Sequence, residues 1–224
     1  MNALEKEYNE KDDAYYLHHR HEMLSYIPSN VKTVLDVGCS SGAFGKLVKD
    51  KFGCIVWGIE PDKKSASNAA NLLDRVYNSF FDDNIDLEGK RFDCIIFNDV
   101  LEHLVNPFEA LELCKHYLTP SGVIVASIPN IRFFDAVYHI TVQGDFKYTG
   151  AGIFDKTHLR FFTKKSMERM FIDAGYKINR IDGINSIKDL NYKGYKNFKI
   201  LNTILLGKIA DMEFLQFALS ARLQ

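Results

Sequence analysis

The segment NDVLEHL (98–104) places Asp99, Glu102 and His103 at positions i, i+3 and i+4. If the chain is helical there, all three side chains point to one face. Histidine titrates near neutral pH and can take a proton from a reacting group. A neighbouring carboxylate, Asp99 or Glu102, can orient the imidazole and stabilise its protonated form. The alternative is local, with Glu102 capping or pairing in its own turn and His103 only packing. A second stretch with chemistry in it is VLDVGCSSGAFG (34–45), where Gly38 and Gly42 frame a turn. Glycine lets a ligand approach the backbone closely, and a helix starting there offers unpaired N–H groups. The spacing is GxxxG, with Ser40 where a dinucleotide fingerprint has its second glycine. That disfavours a nicotinamide-dependent oxidoreductase and suits a cofactor without a pyrophosphate. The run CIVWGIE ends in Glu60, an acid that can accept both hydroxyls of a ribose.

Such groups act together only if strands end side by side. The runs 33–38, 54–60, 75–81, 92–99 and 122–129 read as strands, with a sixth at KINRIDGI (177–184) and a last one at 214–223. The apolar runs are near-continuous rather than alternating. This is the pattern of parallel strands in an α/β fold, covered by helices on both faces. Helices are expected over about Asp13 to Tyr26, Ala43 to Phe52, 62–74, 107–118 and 163–176. Thr163 is the expected N-cap of the last of these, and Gly175 its stop. Residues 130–162 are rich in Phe and Tyr but lack periodicity. Their length points to function or disorder, and their aromatic content argues against disorder.

The chain of 224 residues is 46% hydrophobic and 25% charged, with a formal net charge of −1. The balance gives no bulk electrostatic reason to expect nucleic acid or an anionic membrane as partner. Cys39, Cys54, Cys94 and Cys114 form no CxxC pair, which argues against zinc or a redox motif. With no apolar signal core and no run long enough to span a bilayer, the expectation is a reducing, cytoplasmic setting. In the stretch 191–212 an apolar stripe is open to three readings: core, a homodimer contact or a lipid-facing surface. Core is the default.

In order, VLDVGCSSG, IEPD, FDCIIFNDVLEHL and LTPSGVIVASIPN resemble the class I S-adenosylmethionine-dependent methyltransferases. The resemblance implies one domain over 1–224 with a Rossmann-like, doubly wound, seven-stranded sheet whose last strand is antiparallel. It implies an N-terminal helical cap (1–30) and insertions at 130–162 and 186–212 over the acceptor side. It places the cofactor against Asp36, Gly38, Cys39, Ser40 and Gly42 on the first turn, and Glu60 and Pro61 on the second. Asn98 and Asp99 would lie near the sulfonium. Relatives often carry an adenine-binding acid after the third strand. Here that position falls on Ser79 or Phe80, with Asp82 close behind, and Phe80 or Phe81 able to pack on the ring.

The acid-x-x-Glu-His segment is similar to that of ubiquinone-pathway O-methyltransferases and small-RNA 2′-O-methyltransferases. In those enzymes it binds a divalent ion, and the RNA enzymes add a downstream histidine. This implies a metal alternative built on Asp99, Glu102, His103 and His158, with Asp99 standing where relatives have Glu. The segments SIPNIRFF and THLRFFT more closely resemble bacterial methyltransferases of polysaccharide and lipopolysaccharide synthesis. They imply O-methylation of a sugar hydroxyl on a glycan or nucleotide-sugar-like acceptor, with His103 and His158 as candidate bases. Phe133, Phe134 and Tyr148 are candidates for stacking on a sugar, and Phe161 and Phe162 for docking in the core. The competing readings are methylation of a phenol or quinone precursor, methylation of RNA ribose, and a non-catalytic cofactor-binding protein.

Overall fold

The computed structural model describes residues 20–224. Most of the expected first helix lies outside them, and its described end, His21–Tyr26, is a 3-10 helix. Seven strands form one sheet: β1 (Thr33–Val37), β2 (Ile55–Ile59), β3 (Arg75–Tyr77), β4 (Phe92–Asn98), β5 (Leu118–Pro129), β6 (Tyr176–Ser186) and β7 (Phe214–Leu223). Their order is β3-β2-β1-β4-β5-β7-β6. The pairs from β3 to β5 are parallel, and β7 is antiparallel to both β5 and β6. The doubly wound sheet with a reversed last strand is therefore present. The helices are α1 (Ala43–Phe52), α2 (Lys63–Ala69), α3 (Pro107–Tyr117), α4 (Phe134–Tyr138), α5 (Lys164–Asp173) and α6 (Tyr195–Ile204).

Burial explains why the strands read as unbroken apolar runs. Successive side chains point to opposite faces, and both faces are cores. Leu35, Ile95, Phe97 and Ile124 pack on one face with Leu111 of α3 and Phe171 of α5. Val34, Cys94, Ile96 and Val125 pack on the other with Val48 of α1 and Met23 of the 3-10 helix. Each such side chain contributes about 1.5–3 kcal/mol by leaving water. All four cysteines are buried free thiols.

Several boundaries differ from expectation, β5 among them, which starts at Leu118 rather than at 122. The third strand stops at Tyr77, because it is an edge strand that pairs only with β2, through Trp57, Gly58 and Ile59. Helix α2 starts at its Asp62 cap, which accepts from the Ser65 amide at 2.7 Å, and ends at Ala69 rather than near Asp74. Residues 130–162 contain a short helix, α4, followed by a π-turn at His139–Gln143. Helix α5 follows its expected caps: Thr163 and Ser166 exchange hydrogen bonds in a capping box, and Gly175 takes φ +83°.

The two interruptions of the pattern pack on each other. Phe133, Ala136 and Ile153 from the first share a small third core with Ile187, Phe198 and Met212 from the second. The Arg132 guanidinium pairs with Asp211 at 2.7 Å, and the Asn130 amide donates to the carbonyls of Asp211 and Phe214. Phe133 is thus core rather than a stacking surface, and Phe134 packs edge-on against Phe198 at 5.6 Å.

Candidate active site

The chain order reverses between β1 and β4, and open α/β sheets bind ligands at the carboxyl edge of that switch point. The turn after β1 is tight. The Gly38 amide donates to the Ile59 carbonyl at 2.8 Å with φ +70°, and a Cβ there would meet Val100 Cγ2 at 2.6 Å. Ser40 also takes a left-handed φ of +50°, the conformation its missing glycine would adopt at less cost. Gly42, φ +84°, starts α1.

Glu60 sits beside this turn, 7% exposed. Its carboxylate accepts from the Ser40 amide at 2.9 Å and the Asp62 amide at 2.8 Å. Burial pushes its pKa up despite these bonds. Burial, with the nearby Glu60 charge, also raises Asp36 to about 7. Pro61 is held from below: the Asn78 amide donates to the carbonyls of Glu60 and Pro61. Several buried polar atoms along this edge have no hydrogen-bond partner: Asp36 Oδ2, Ser40 Oγ, Ser79 Oγ and both amide atoms of Asn98. Each costs about 1–3 kcal/mol unmade. A polar cofactor lying across β1, β3 and β4 would satisfy them, so the residues present fit one. Cys39 lines the same turn but is buried, its thiol pushed up by desolvation.

Two adenine-side candidates are placed elsewhere. Phe81 is buried against Phe97 at 5.8 Å and Tyr117 at 6.3 Å, leaving Phe80 as the exposed aromatic. Asp82 is exposed and accepts from the Asn84 amide, so it ties its own turn.

The Asp99–Glu102–His103 face does not form as expected. Asp99 takes φ +54°, and the chain then makes only a 3-10 turn, Leu101–His103. This sends the Asp99 carboxylate towards the reversed strand, where it pairs with Arg20 and accepts from Gln216 Nε2 at 2.7 Å and Ser127 Oγ at 3.1 Å. Asp99 therefore stands apart from Glu102 and His103, as the shorter acid of the motif. Sequence reading missed these three partners. Ser127 and Gln216 left a trace, as polar residues inside apolar strands; Arg20 left none.

His158 takes the place that Asp99 leaves. Glu102, His103 and His158 bring one ligand atom each to within 4.8 Å of one another. Glu102 is 1% exposed and His158 8%. Segment coupling is direct: the amides of Leu159 and Arg160 both donate to the Glu102 carbonyl. His103 Nδ1 lies 3.0 Å from the Thr157 carbonyl, and His158 Nδ1 lies 3.0 Å from the Ile153 carbonyl. A carbonyl only accepts, so each Nδ1 carries the proton and each Nε2 is the basic nitrogen of the neutral ring. Next to His158 an aromatic shelf runs through Phe161, Phe146 and Tyr148, with ring centroids 6.3, 5.4 and 5.3 Å apart in turn. Phe162 docks in the core as expected, but Phe161 is exposed on this shelf.

Known proteins agree with this architecture. A family described as a methyltransferase domain matches residues 8–180. The ubiquinone biosynthesis O-methyltransferase of Coxiella burnetii (strain RSA 331 / Henzerling II) is 25% identical over 171 residues, 72% of each chain. A SAM-dependent methyltransferase from Archaeoglobus fulgidus superposes with a TM-score of 0.64 at 18% identity, over 97% of this chain and 96% of the other. The plantazolicin methyltransferase BpumL, solved with SAH, superposes with a TM-score of 0.63 at 13% identity, over 99% and 94%. A glycine turn, a buried acid held beside it and a family match over most of the chain converge: this protein belongs to the methyltransferase domain family and is an S-adenosylmethionine-dependent methyltransferase.

Proposed function

We propose that the chain methylates a hydroxyl oxygen held against Glu102, His103 and His158, and that this hydroxyl belongs to a sugar of a cell-surface glycan or its precursor. The observation that carries the O-methyl reading is the two-imidazole, one-carboxylate cluster, Glu102 and His158 buried and His103 half-buried, with each Nδ1 set on a carbonyl. An alcohol is a weak nucleophile at neutral pH. The sulfonium is already activated, so the enzyme has to align the oxygen with the methyl carbon and accept its proton. Bound S-adenosylmethionine would supply an activated methyl group and leave as S-adenosylhomocysteine, while the imidazole of His103 or His158 would take the hydroxyl proton and Glu102 would stabilise the imidazolium. The same donor set suits a divalent ion such as manganese, iron or zinc, which would lower the pKa of the hydroxyl.

In this reading Gly38–Gly42, Glu60 and Asn98 would hold the cofactor, with Glu60 accepting from its ribose hydroxyls. A charge-assisted bond to the ribose is worth about 1.5–3 kcal/mol. Glu60→Ala is therefore expected to weaken S-adenosylhomocysteine binding by about ten- to a hundredfold in calorimetry. Unchanged affinity would take Glu60 out of the cofactor site.

The sugar assignment draws on the similarity of PNIRFF and THLRFFT to glycan methyltransferases, and on the exposed shelf of Phe161, Phe146 and Tyr148. Aromatic rings stack on the apolar face of a sugar. A phenolic acceptor is the second reading, favoured by the names of the ubiquinone-pathway relatives. A panel of nucleotide sugars, lipid-linked glycans, phenols and RNA with labelled cofactor separates them. The expected product is a methylated glycan; label on phenols or RNA, with none on any glycan, overturns the sugar assignment.

A further inference from the structure

Helix α6 presents to solvent the face that a surface helix normally buries. Of its apolar aliphatic and Phe residues only Phe198 is buried. Ile200 is 61% exposed and Ile204 69%, followed by Leu206 at 85%. At 3.6 residues per turn, Ile200, Leu201, Ile204 and Leu205 share one side, and Lys196 and Lys199 line its edge. The default expectation of core thus holds for Phe198 and Met212 but not for the stripe itself. The lobe's small core is already filled by Phe133, Ile153, Phe198 and their neighbours. Ile140 and Val142, on the π-turn of the same lobe, are exposed as well.

Charge indicates what covers this face. From Leu190 to Ala210 the chain holds Lys193, Lys196, Lys199 and Lys208 and no acid, within a protein of net charge −1. All four are exposed. Among the described residues, none of the four belongs to an ion pair. An apolar strip edged by lysines is the pattern of a helix lying in a bilayer interface, with aliphatic side chains at the acyl boundary and ammonium groups among the phosphates. We propose that α6 and the turn after it dock this methyltransferase on an anionic lipid bilayer. Ten residues rise about 15 Å, so the helix lies on the membrane and does not cross it. A second copy is a poorer occupant, because a two-fold contact through this strip would set the lysine edges of the two copies close together.

The test is co-sedimentation of the full chain with vesicles of phosphatidylcholine alone and of phosphatidylcholine with phosphatidylglycerol. Binding is expected to the anionic vesicles only, and is expected to fall as salt is raised. Lys193→Gln/Lys196→Gln/Lys199→Gln should lower the partition coefficient about a hundredfold, at about fivefold per lysine. Ile200→Asn/Ile204→Asn should lower it at least tenfold. These side chains are exposed, so both variants should keep the wild-type melting temperature and S-adenosylhomocysteine affinity. Three results overturn the proposal: no binding to either vesicle, equal binding by wild type and variants, or a wild-type dimer in sedimentation equilibrium that Ile200→Asn/Ile204→Asn turns into monomer. None of these readouts uses methyl transfer, so they stand or fall apart from the acceptor assignment.

Discussion

His103→Ala is expected to slow methyl transfer by about a hundredfold or more while S-adenosylhomocysteine binds as in wild type. The imidazole is anchored by Thr157, a residue 54 positions away in sequence, and not by the cofactor turn. Its loss therefore leaves Gly38–Gly42 and Glu60 in place. Under the proposed function it removes the proton acceptor, or one of three ligands if an ion sits in the cluster. EDTA divides these two roles. A histidine acting alone leaves turnover intact after chelation, whereas an ion-dependent enzyme loses turnover and regains it with added manganese or zinc. His158→Ala serves as the matched test, because His158 Nε2 lies 4.0 Å from Glu102 Oε1. Near-normal turnover in His103→Ala would remove the cluster from catalysis under either scheme.

The parts of this site that the sequence discloses are those encoded locally. A strand buried on both faces has no polar alternation, so β1, β4 and β5 stand out as apolar runs. Gly38 and Gly42 mark a turn because left-handed φ and close approach both call for glycine there. Helix α5 declares its ends through Thr163 and Gly175. What stays hidden depends on distant partners. The direction of Asp99 is set by Ser127, 28 residues on, and by Gln216, 117 residues on. No local pattern contains that information, and an i, i+3, i+4 argument fails once the backbone leaves helical φ at Asp99. Helix α4 is five residues long and is stabilised by packing on Phe198, so its own periodicity is too brief to read. The outward face of α6 is hidden for the opposite reason. Its sequence is amphipathic, and nothing local says which side the rest of the lobe will cover.

Gly42→Ala is expected to destabilise the protein by about 3 kcal/mol and to weaken S-adenosylhomocysteine binding by about tenfold or more. At φ +84° an alanine there carries left-handed strain of about 1–2 kcal/mol. Its Cβ would also stand 2.9 Å from Ala69 Cα and 3.1 Å from Ala69 Cβ. These are atoms of a buried helix end and cannot rotate aside, so either α1 or α2 must shift, at a further cost of about 1–3 kcal/mol. Any shift of α1 moves the Ser40 amide that donates to Glu60, and with it the edge proposed to take the ribose. Gly53→Ala, at the other end of the same helix, is the internal control. Its φ is +62°, but nothing lies within 4 Å of the added carbon. It should cost only the strain, about 1–2 kcal/mol, and leave binding unchanged. For a chain of this size each kcal/mol is about 2–4 °C in melting temperature, so a thermal scan resolves the two variants. If Gly42→Ala melts with Gly53→Ala and binds like wild type, the turn is more yielding than its packing on Ala69 implies, and Gly42 holds no special place beside the cofactor.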